Sequence, residues 1–327
     1  MSRILIVIPC LNEARHIGPL LAQLLPFAKQ QDARIIVADG GSNDGTVGIV
    51  NEIARGAPEI ELLKNPAKLQ SAGVNLAVDR YGANSEWLIR IDAHSSYPAG
   101  YCATLLEEAG ATGADSVTVS LNAVGGGFVQ TLAAATQNSR LGNGGSAHRN
   151  SVEGRWVEHG HHALMRISAF RAVGGYDESF RTNEDAELDL RLARAGYKIW
   201  LTGRTHVNYF PRRTIGSLAR QYFRYGQGRA RTLAKHAMQP KARQRAMIGV
   251  APAIAVVPLG GLFWPLALPG FLWLSACLAG GVMLAGAARD PKLVLTGPIA
   301  AVMHASWSLG YWTMQRGSLP KRRAATA

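Results

Sequence analysis

From Met247 to Ala288 the chain carries no Asp, Glu, Lys or Arg. A helix that crosses a bilayer needs about 20 apolar residues, so this run is long enough for two. Pro265 and Pro269 in "WPLALPG" mark the turn expected between them. A further stretch at 293–315, "LVLTGPIAAVMHASWSLGYWTMQ", is again free of those charges and gathers Trp307, Tyr311 and Trp312 near one end, like an aromatic belt. Core helices of a soluble protein are also apolar, but uncharged runs this long are rare outside membranes. The C-terminal quarter is therefore expected to be a membrane domain of two to three transmembrane helices, residues 247–315.

Charge placement bears on orientation. Lys241, Arg243 and Arg245 precede the run, and Arg289 and Lys292 follow it. A hairpin at 247–288 puts both sets in the cytoplasm, as the positive-inside rule asks. The basic tail, 316–327, would then lie outside if 293–315 crosses, so that segment is re-entrant or interfacial, or the tail is outvoted. The formal net charge of +13 raises nucleic acid, anionic lipid and phosphorylated substrates as partners. The densest basic–aromatic cluster lies at 214–237, where Arg220, Arg224, Arg229, Arg231 and Lys235 stand among Tyr222, Phe223 and Tyr225. It adjoins the apolar run, so region 213–246 reads as a basic amphipathic interfacial helix on membrane lipids and not as a nucleic-acid stripe. His304 alone does not make the apolar part a transporter. Cys10, Cys102 and Cys277 are scattered, which argues for a reducing compartment and against a disulfide or zinc framework.

Residues 1–212 read as a soluble domain. "RILIVIPC", "ARIIVAD", "IELLKN" and "EWLIRID" are strand-like runs, separated by helical spacing such as Ile17, Leu20, Leu21, Leu24 and Leu25. This order predicts an α/β fold with a doubly wound, mostly parallel sheet. Ligands of such sheets bind beyond the carboxyl ends of the strands. Asn12 and Glu13, Asp39, and Asp92 with His94 all fall there. Residues 122–154 are glycine-rich and match no phosphate-loop fingerprint, so a loop is expected. In "VEHGHHALM" the period of a strand puts His159 and His161 on one face and His162 on the other, and no cysteine or spaced carboxylate completes a zinc set. "TNEDAELDLRLARAGYKI" starts a helix with acids in its first turn and Gly196 at its end.

"VIPCLNE", "VADGGSNDGT", "RIDAH", "VGGYDESF" and "NEDAELDLRLARAGYKI" follow one another in the order and spacing of the family 2 glycosyltransferases. The chain resembles that family over roughly residues 3–235, and within it the bacterial exopolysaccharide enzymes. The resemblance implies a GT-A fold, a nucleotide-activated sugar and a divalent metal, Mn²⁺ or Mg²⁺. It assigns Pro9, Glu13 and Asp39 to a uridine pocket, Lys68 to the nucleotide's vicinity, and Asp92 to the first acid of a D-x-D motif. His94 stands where the second acid belongs. Imidazole can ligate Mn²⁺ but suits Mg²⁺ poorly. His206 in "RTHVNYFPRR" is a further possible ligand. Asp185 matches the base of inverting members, with Glu184 beside it. "QYFRY" resembles the family's Q-x-x-R-W motif, assigning Gln221, Arg224 and Tyr225 to the acceptor or its pyrophosphate, with Tyr225 replacing the tryptophan.

The expected function is that of an inverting transferase moving a hexose, glucose in the first instance, from a UDP-sugar to a lipid-linked saccharide. The expected place is the cytoplasmic face of the inner membrane, with other polysaccharide-assembly enzymes as partners and no nucleic acid. A polyprenol-phosphate glycosyltransferase is the alternative. A nucleotidyltransferase would carry a glycine-rich basic loop after its first strand, which "PCLNEARHIG" is not.

Overall fold

The computed structural model describes residues 4–145 and 153–314. The basic tail at 316–327 and part of the glycine-rich stretch lie outside the described residues. In chain order the elements of the first unit are β1 (Ile4–Cys10), α1 (Ile17–Gln30), β2 (Arg34–Asp39), α2 (Thr46–Arg55), β3 (Ile60–Lys64), α3 (Gln70–Tyr81), β4 (Trp87–Arg90), α4 (Tyr101–Thr112) and β5 (Ser116–Ala123). The helices α5 (Phe128–Asn138) and α6 (Arg140–Asn143) intervene. The unit then resumes with β6 (Arg155–Trp156), β7 (His161–Arg166), α7 (Ile167–Ala172), α8 (Glu184–Arg194) and β8 (Ile199–Tyr209).

One eight-stranded sheet runs in the order β3-β2-β1-β4-β7-β5-β8-β6. Its first four strands are parallel, as the βα alternation predicts. From β7 onward the sheet turns antiparallel, with β7 running against both β4 and β5. Apolar residues of β1 feed both faces. Ile4, Ile6 and Ile8 pack with Ile17, Leu21 and Leu24 of α1, whereas Leu5 and Val7 pack with Val74 of α3 and Phe170 of α7. A strand buried on both sides has to be continuously apolar, which explains "ILIVI".

Residues 123–145 and 210–314 form a second, helical unit, so the segment 123–145, expected within a contiguous 1–212 domain, groups with the C-terminal chain. Besides α5 and α6 it holds α9 (Ile215–Lys235), α10 (Ala242–Ile248), α11 (Val250–Ala255), α12 (Leu268–Ala288) and α13 (Thr296–Thr313). The expected hairpin within 247–288 is corrected here. Its first arm is broken into α11 and the 3-10 turns Val257–Gly261 and Trp264–Ala267. Pro258 and the pair Gly260–Gly261 cannot sustain a helix at that point. "WPLALPG" is the entry of α12, with Pro269 in the first turn where its missing N–H costs nothing. Among the described residues the two helical runs long and apolar enough to cross a membrane are Trp264–Ala288 and Pro291–Thr313.

Candidate active site

Parallel pairing of β1 with β2 sets Pro9 beside Ala38 and Cys10 beside Asp39. The loops that leave these two strands are laced together. Asn12 N donates to Ser42 Oγ at 2.8 Å, Glu13 N to Thr46 Oγ1 at 2.9 Å, Ala14 N to Asp44 Oδ2 at 3.0 Å, and Asn43 N to Asn12 Oδ1 at 2.9 Å. Short side chains that bond neighbouring backbone are what "NE" and "GGSNDGT" provide. Buried Asp39 accepts from Gly41 N at 2.8 Å and from the Ser42 hydroxyl at 2.5 Å, so its carboxylate first shapes this loop. The Lys68 side chain lies over Gly41, where an added Cβ would meet its Nζ at 3.9 Å. Pro9, Asp39 and Lys68 thus share one corner.

Asp92 follows β4. Its Oδ1 accepts from Gln70 Nε2 at 2.9 Å and from Arg90 Nη2 at 3.3 Å. Its Oδ2 faces His161 Nε2 at 3.5 Å, beyond ordinary hydrogen-bond length for a charge-assisted contact. His94 turns elsewhere, its Nδ1 lying 2.9 Å from Glu13 Oε1, while Glu13 Oε2 meets His16 Nδ1 at 2.8 Å. Glu13 is therefore bound to two histidines at the pocket edge. No contact joins His206 to Asp92 among the described residues. His206 lies on β8 two residues before Asn208, which bridges Ser96 of the Asp92 loop. Among the described residues no three His, Cys, Asp or Glu side chains converge as a metal cage. A carboxylate oxygen with an imidazole nearby would suit a borderline cation such as Mn²⁺, with the substrate's diphosphate supplying its other ligands.

The acids of α8 meet the histidines of β7. The register of β5 on β7 slips between Val117 and Thr118, so that Leu164 pairs with Val117 but His162 with Thr118. Ala163 is the extra residue of a β-bulge, a device that re-aims side chains. His161 and His162, expected on opposite faces, both approach Asp185. His161 Nδ1 lies 3.7 Å from Asp185 Oδ2, and His162 Nδ1 lies 3.5 Å from Asp185 Oδ1. Buried His162 is clamped between Asp189 Oδ1 at 2.6 Å and the Tyr176 hydroxyl at 2.7 Å. Asp189 also holds His159 Nδ1 at 2.8 Å and the Gly160 amide at 3.1 Å. Asp185 and Asp189 are four apart on α8, hence on one face.

Arg90 ties the two halves together. Its side chain is only 5% exposed, and it bonds Asp185 through Nη1 and Asp92 through Nη2. Tyr176 receives a bond from Arg90 at 3.1 Å and donates to Asp185 at 3.3 Å. Burial opposes the charge of Asp92, but Arg90 outweighs it, helped by His161 and His94, and the carboxyl sits below its ordinary range. Burial likewise opposes Asp185, yet Arg90 and then His162 and His161 hold it far below that range. Glu184 has the opposite fate, pushed up to about 7 by burial and by the charge of Asp185. Burial and Arg90 lower His161 despite Asp92, which keeps a neutral ring with a lone pair. Burial disfavours the charged form of His162, but Asp189 and Asp185 outweigh it and raise the ring's proton affinity.

In the second unit, Gln221 Nε2 donates to the Tyr225 hydroxyl at 2.9 Å, one turn along α9, and Tyr225 packs edge-on against Tyr222. Arg224, on the same turn, is exposed. Sequence reasoning missed Arg90, Gln70, Tyr176 and Asp189. The available signal was an arginine inside the apolar strand "WLIRID", since a charge in a central strand demands buried partners.

The sequence profile of the family described as Glycosyl transferase family 2 matches residues 5–174. The succinoglycan biosynthesis protein ExoA of Rhizobium meliloti (strain 1021) is 51% identical over 308 residues, covering 94% of this chain and 93% of that protein. A dolichyl N-acetyl-alpha-D-glucosaminyl phosphate 3-beta-D-2,3-diacetamido-2,3-dideoxy-beta-D-glucuronosyltransferase of Methanococcus voltae is 22% identical, over 95% of this chain and 97% of its own. Among solved structures, the mannosyltransferase PcManGT of Pyrobaculum calidifontis, in complex with GDP-Man and Mn²⁺, superposes with a TM-score of 0.59 at 18% identity, covering 95% of this chain and 88% of that one.

Proposed function

The chain belongs to the family 2 glycosyltransferases, and from that premise we propose that it transfers a hexose, with inversion, from a UDP-sugar to a lipid-linked saccharide during exopolysaccharide assembly. The similarity to a succinoglycan biosynthesis protein supports the pathway, and the similarity to an enzyme named for a dolichyl phosphate acceptor supports the lipid. The reaction would run at the cytoplasmic face of the inner membrane, with the arginines of α9 near anionic headgroups and Gln221, Arg224 and Tyr225 toward the lipid pyrophosphate. Other assembly enzymes would supply the acceptor and extend the product.

The single observation that carries the reading is the guanidinium of Arg90, shared by Asp92 and Asp185. It joins a diphosphate corner to a carboxylate at a helix N-terminus within one buried network. Asp39, Glu13, Pro9 and Lys68 would hold the uridine and its phosphates. A divalent cation at Asp92, with His94 or His161 as the nitrogen donor, would offset charge on the leaving diphosphate. Asp185, ionised and fixed by Arg90, Tyr176 and the histidines, would take the proton as the acceptor hydroxyl attacks the anomeric carbon. Glu184 would orient that hydroxyl. A second reading gives Glu184 the proton, because a base works best with a pKa near the operating pH, and its value of about 7 meets that condition.

The test is transfer of label from a panel of UDP- and GDP-sugars into membrane lipid, followed by linkage analysis. Label in a lipid-linked oligosaccharide from one UDP-hexose is the expected result. Label confined to a lipid monophosphate sugar would favour the polyprenol-phosphate alternative. In parallel, Asp185→Asn should cut transfer about 10²- to 10⁴-fold while UDP binding survives. Normal transfer by Asp185→Asn with a dead Glu184→Gln would move the base by one residue.

A further inference from the structure

Two apolar helices in succession invite the drawing of two membrane crossings, yet their packing argues otherwise. Within the second unit α13 packs along one face into its neighbours. Ile299 and Met303 are buried with Leu132 and Ala133 of α5 and with Leu218 of α9. Gly310 lies so close to α9 that an added Cβ would stand 1.9 Å from Phe223 O, and Gly226 of α9 is equally close to Trp307 O. Farther along, Ser308 Oγ accepts from Ala251 N at 2.9 Å and donates to Ile248 O at 2.8 Å, and Trp312 Nε1 donates to the same carbonyl at 2.9 Å. His304 Nε2 meets Leu141 O of α6 at 2.9 Å. The helix is thus fastened along one face to α5, α6, α9, α10 and α11, while Leu309 and Trp312 stay about half exposed.

Those neighbouring helices are charged. Five cations stand on α9 (Arg220, Arg224, Arg229, Arg231 and Lys235), and Arg243 and Arg245 stand on α10. Arg243 donates to the Gly144 carbonyl at 2.7 Å, which ties α10 to the loop after α6. Guanidinium groups at this density are too costly in hydrocarbon, so α9 and α10 stay at the headgroups, and α13 must stay with them.

The partner helix α12 is seated by one narrow stripe on α13, on α11 near its start and on Leu141 of α6. Its buried residues are Gly270, Cys277, Gly281 and Ala285, with Gly281 against Val294 O and Gly297. The rest of its circumference is apolar and exposed, including Phe271, Leu272, Val282 and Met283. Just before it, Leu262, Phe263 and Trp264 are 88%, 60% and 70% exposed. Among the described residues that surface faces no other part of its own unit. A helix fastened along α13 cannot cross a bilayer while α13 remains at the surface.

We propose that the second unit is monotopic: α12 and the Leu262–Trp264 turn sink into a single leaflet of an anionic bilayer from one side, and neither α12 nor α13 crosses it. The basic face of α9 and α10 beside an apolar wedge is the charge arrangement that an anionic leaflet complements. This rests on the reading above that the enzyme works at a membrane, and it replaces the crossings by an insertion. It also removes the conflict over the basic tail, since every polar segment then stays on one side.

The full chain expressed in its membrane provides the test. Single cysteines are introduced as Ala242→Cys, Asp290→Cys and Met314→Cys and labelled with a membrane-impermeant maleimide in intact cells and in inverted vesicles; the native Cys10, Cys102 and Cys277 are buried. All three should label only in inverted vesicles, while carbonate-washed membranes retain the protein. A fluorophore on Leu262→Cys should be quenched by lipids brominated at mid-chain, in vesicles containing phosphatidylglycerol. Asp290→Cys or Met314→Cys labelling from outside intact cells would overturn the insertion model and leave the membrane reading intact. Release of the chain by carbonate would overturn both, and an unquenched Leu262→Cys probe on retained protein would overturn the wedge alone.

Discussion

Glu184→Gln should make the protein more stable at neutral pH while damaging its reaction. Glu184 is partly buried beside ionised Asp185, and its carboxyl is raised from 4.5 to about 7. Between those values the folded chain holds a proton at this position that the unfolded chain has released. Raising the pH through that window therefore removes stability, and the full cost is present above pH 7. At about 1.4 kcal/mol per pH unit the cost is at most ~3 kcal/mol, and partial solvent access reduces it toward ~2 kcal/mol. Glutamine keeps the shape and carries no charge, so it avoids that cost. Melting curves of wild type and variant, taken in the same detergent at pH 4.5 and pH 8, measure the difference. A gain of about 2–3 kcal/mol corresponds to roughly 4–12 °C for a chain of this class, and it should appear at pH 8 and vanish at pH 4.5. Equal melting at both pH values would refute the argument that Glu184 is forced to share a low-dielectric site with Asp185. Transfer by the variant should fall, because the acceptor loses a carboxylate that orients it.

Arg90→Lys should lower transfer about 10²-fold with the fold retained, because a single ammonium cannot fork to Asp92 and Asp185 together; a variant with near-normal kcat would remove Arg90 from its joining role. Asp189→Asn should cost about 3–5 kcal/mol in denaturant unfolding, since it strips buried His162 of its carboxylate, and a loss under 1 kcal/mol would contradict that pairing. EDTA should abolish transfer and Mn²⁺ restore it better than Mg²⁺. Of His94→Ala and His161→Ala, the variant that loses the Mn²⁺ preference identifies the nitrogen donor, and full activity in EDTA would end the metal reading. Gly310→Ala should destabilise the second unit by about 1–3 kcal/mol, because its Cβ would strike Phe223 O; unchanged melting would disprove the close approach of α9 and α13.

Much of the first unit was legible because its signals are local. A strand buried on both faces must be apolar throughout, and the residues that follow it must manage backbone groups at a turn. "ILIVIPCLNE" and "RIIVADGGSNDGT" therefore announce both strand and site edge. The histidines were not legible in this way. The alternation rule sends His161 and His162 to opposite faces, yet the placement of α8 at the His161 end of β7 sets Asp185 within 3.7 Å of both rings. Asp189 carries no local signal of its role, since its partners His159 and His162 come from the segment entering β7 and from β7 itself. In the second unit composition marked two apolar runs, and each holds a helical run long enough to cross a membrane. The close approach of Gly226 and Gly310 between α9 and α13 is tertiary and was not legible in composition.

The charge balance of the first unit follows from the same tertiary contacts. Asp92, Glu184, Asp185 and Asp189 are gathered beside β4 and β7, and that many carboxylates would repel one another in a poorly solvated space. The fold answers in three ways. Arg90 neutralises Asp92 and Asp185 together, His162 faces Asp185 and Asp189, and Glu184 remains the acid whose charge is not matched. The arrangement leaves Asp92 Oδ2 turned toward neutral His161, the one oxygen of Asp92 without a close hydrogen-bond donor. On the proposed function, Asp92 would hold the cation that accompanies the diphosphate, and Arg90 would keep Asp185 in place. On the proposed mechanism this network would fix the orientation of the base, Asp185, and leave Asp92 Oδ2 to meet the charge of the substrate.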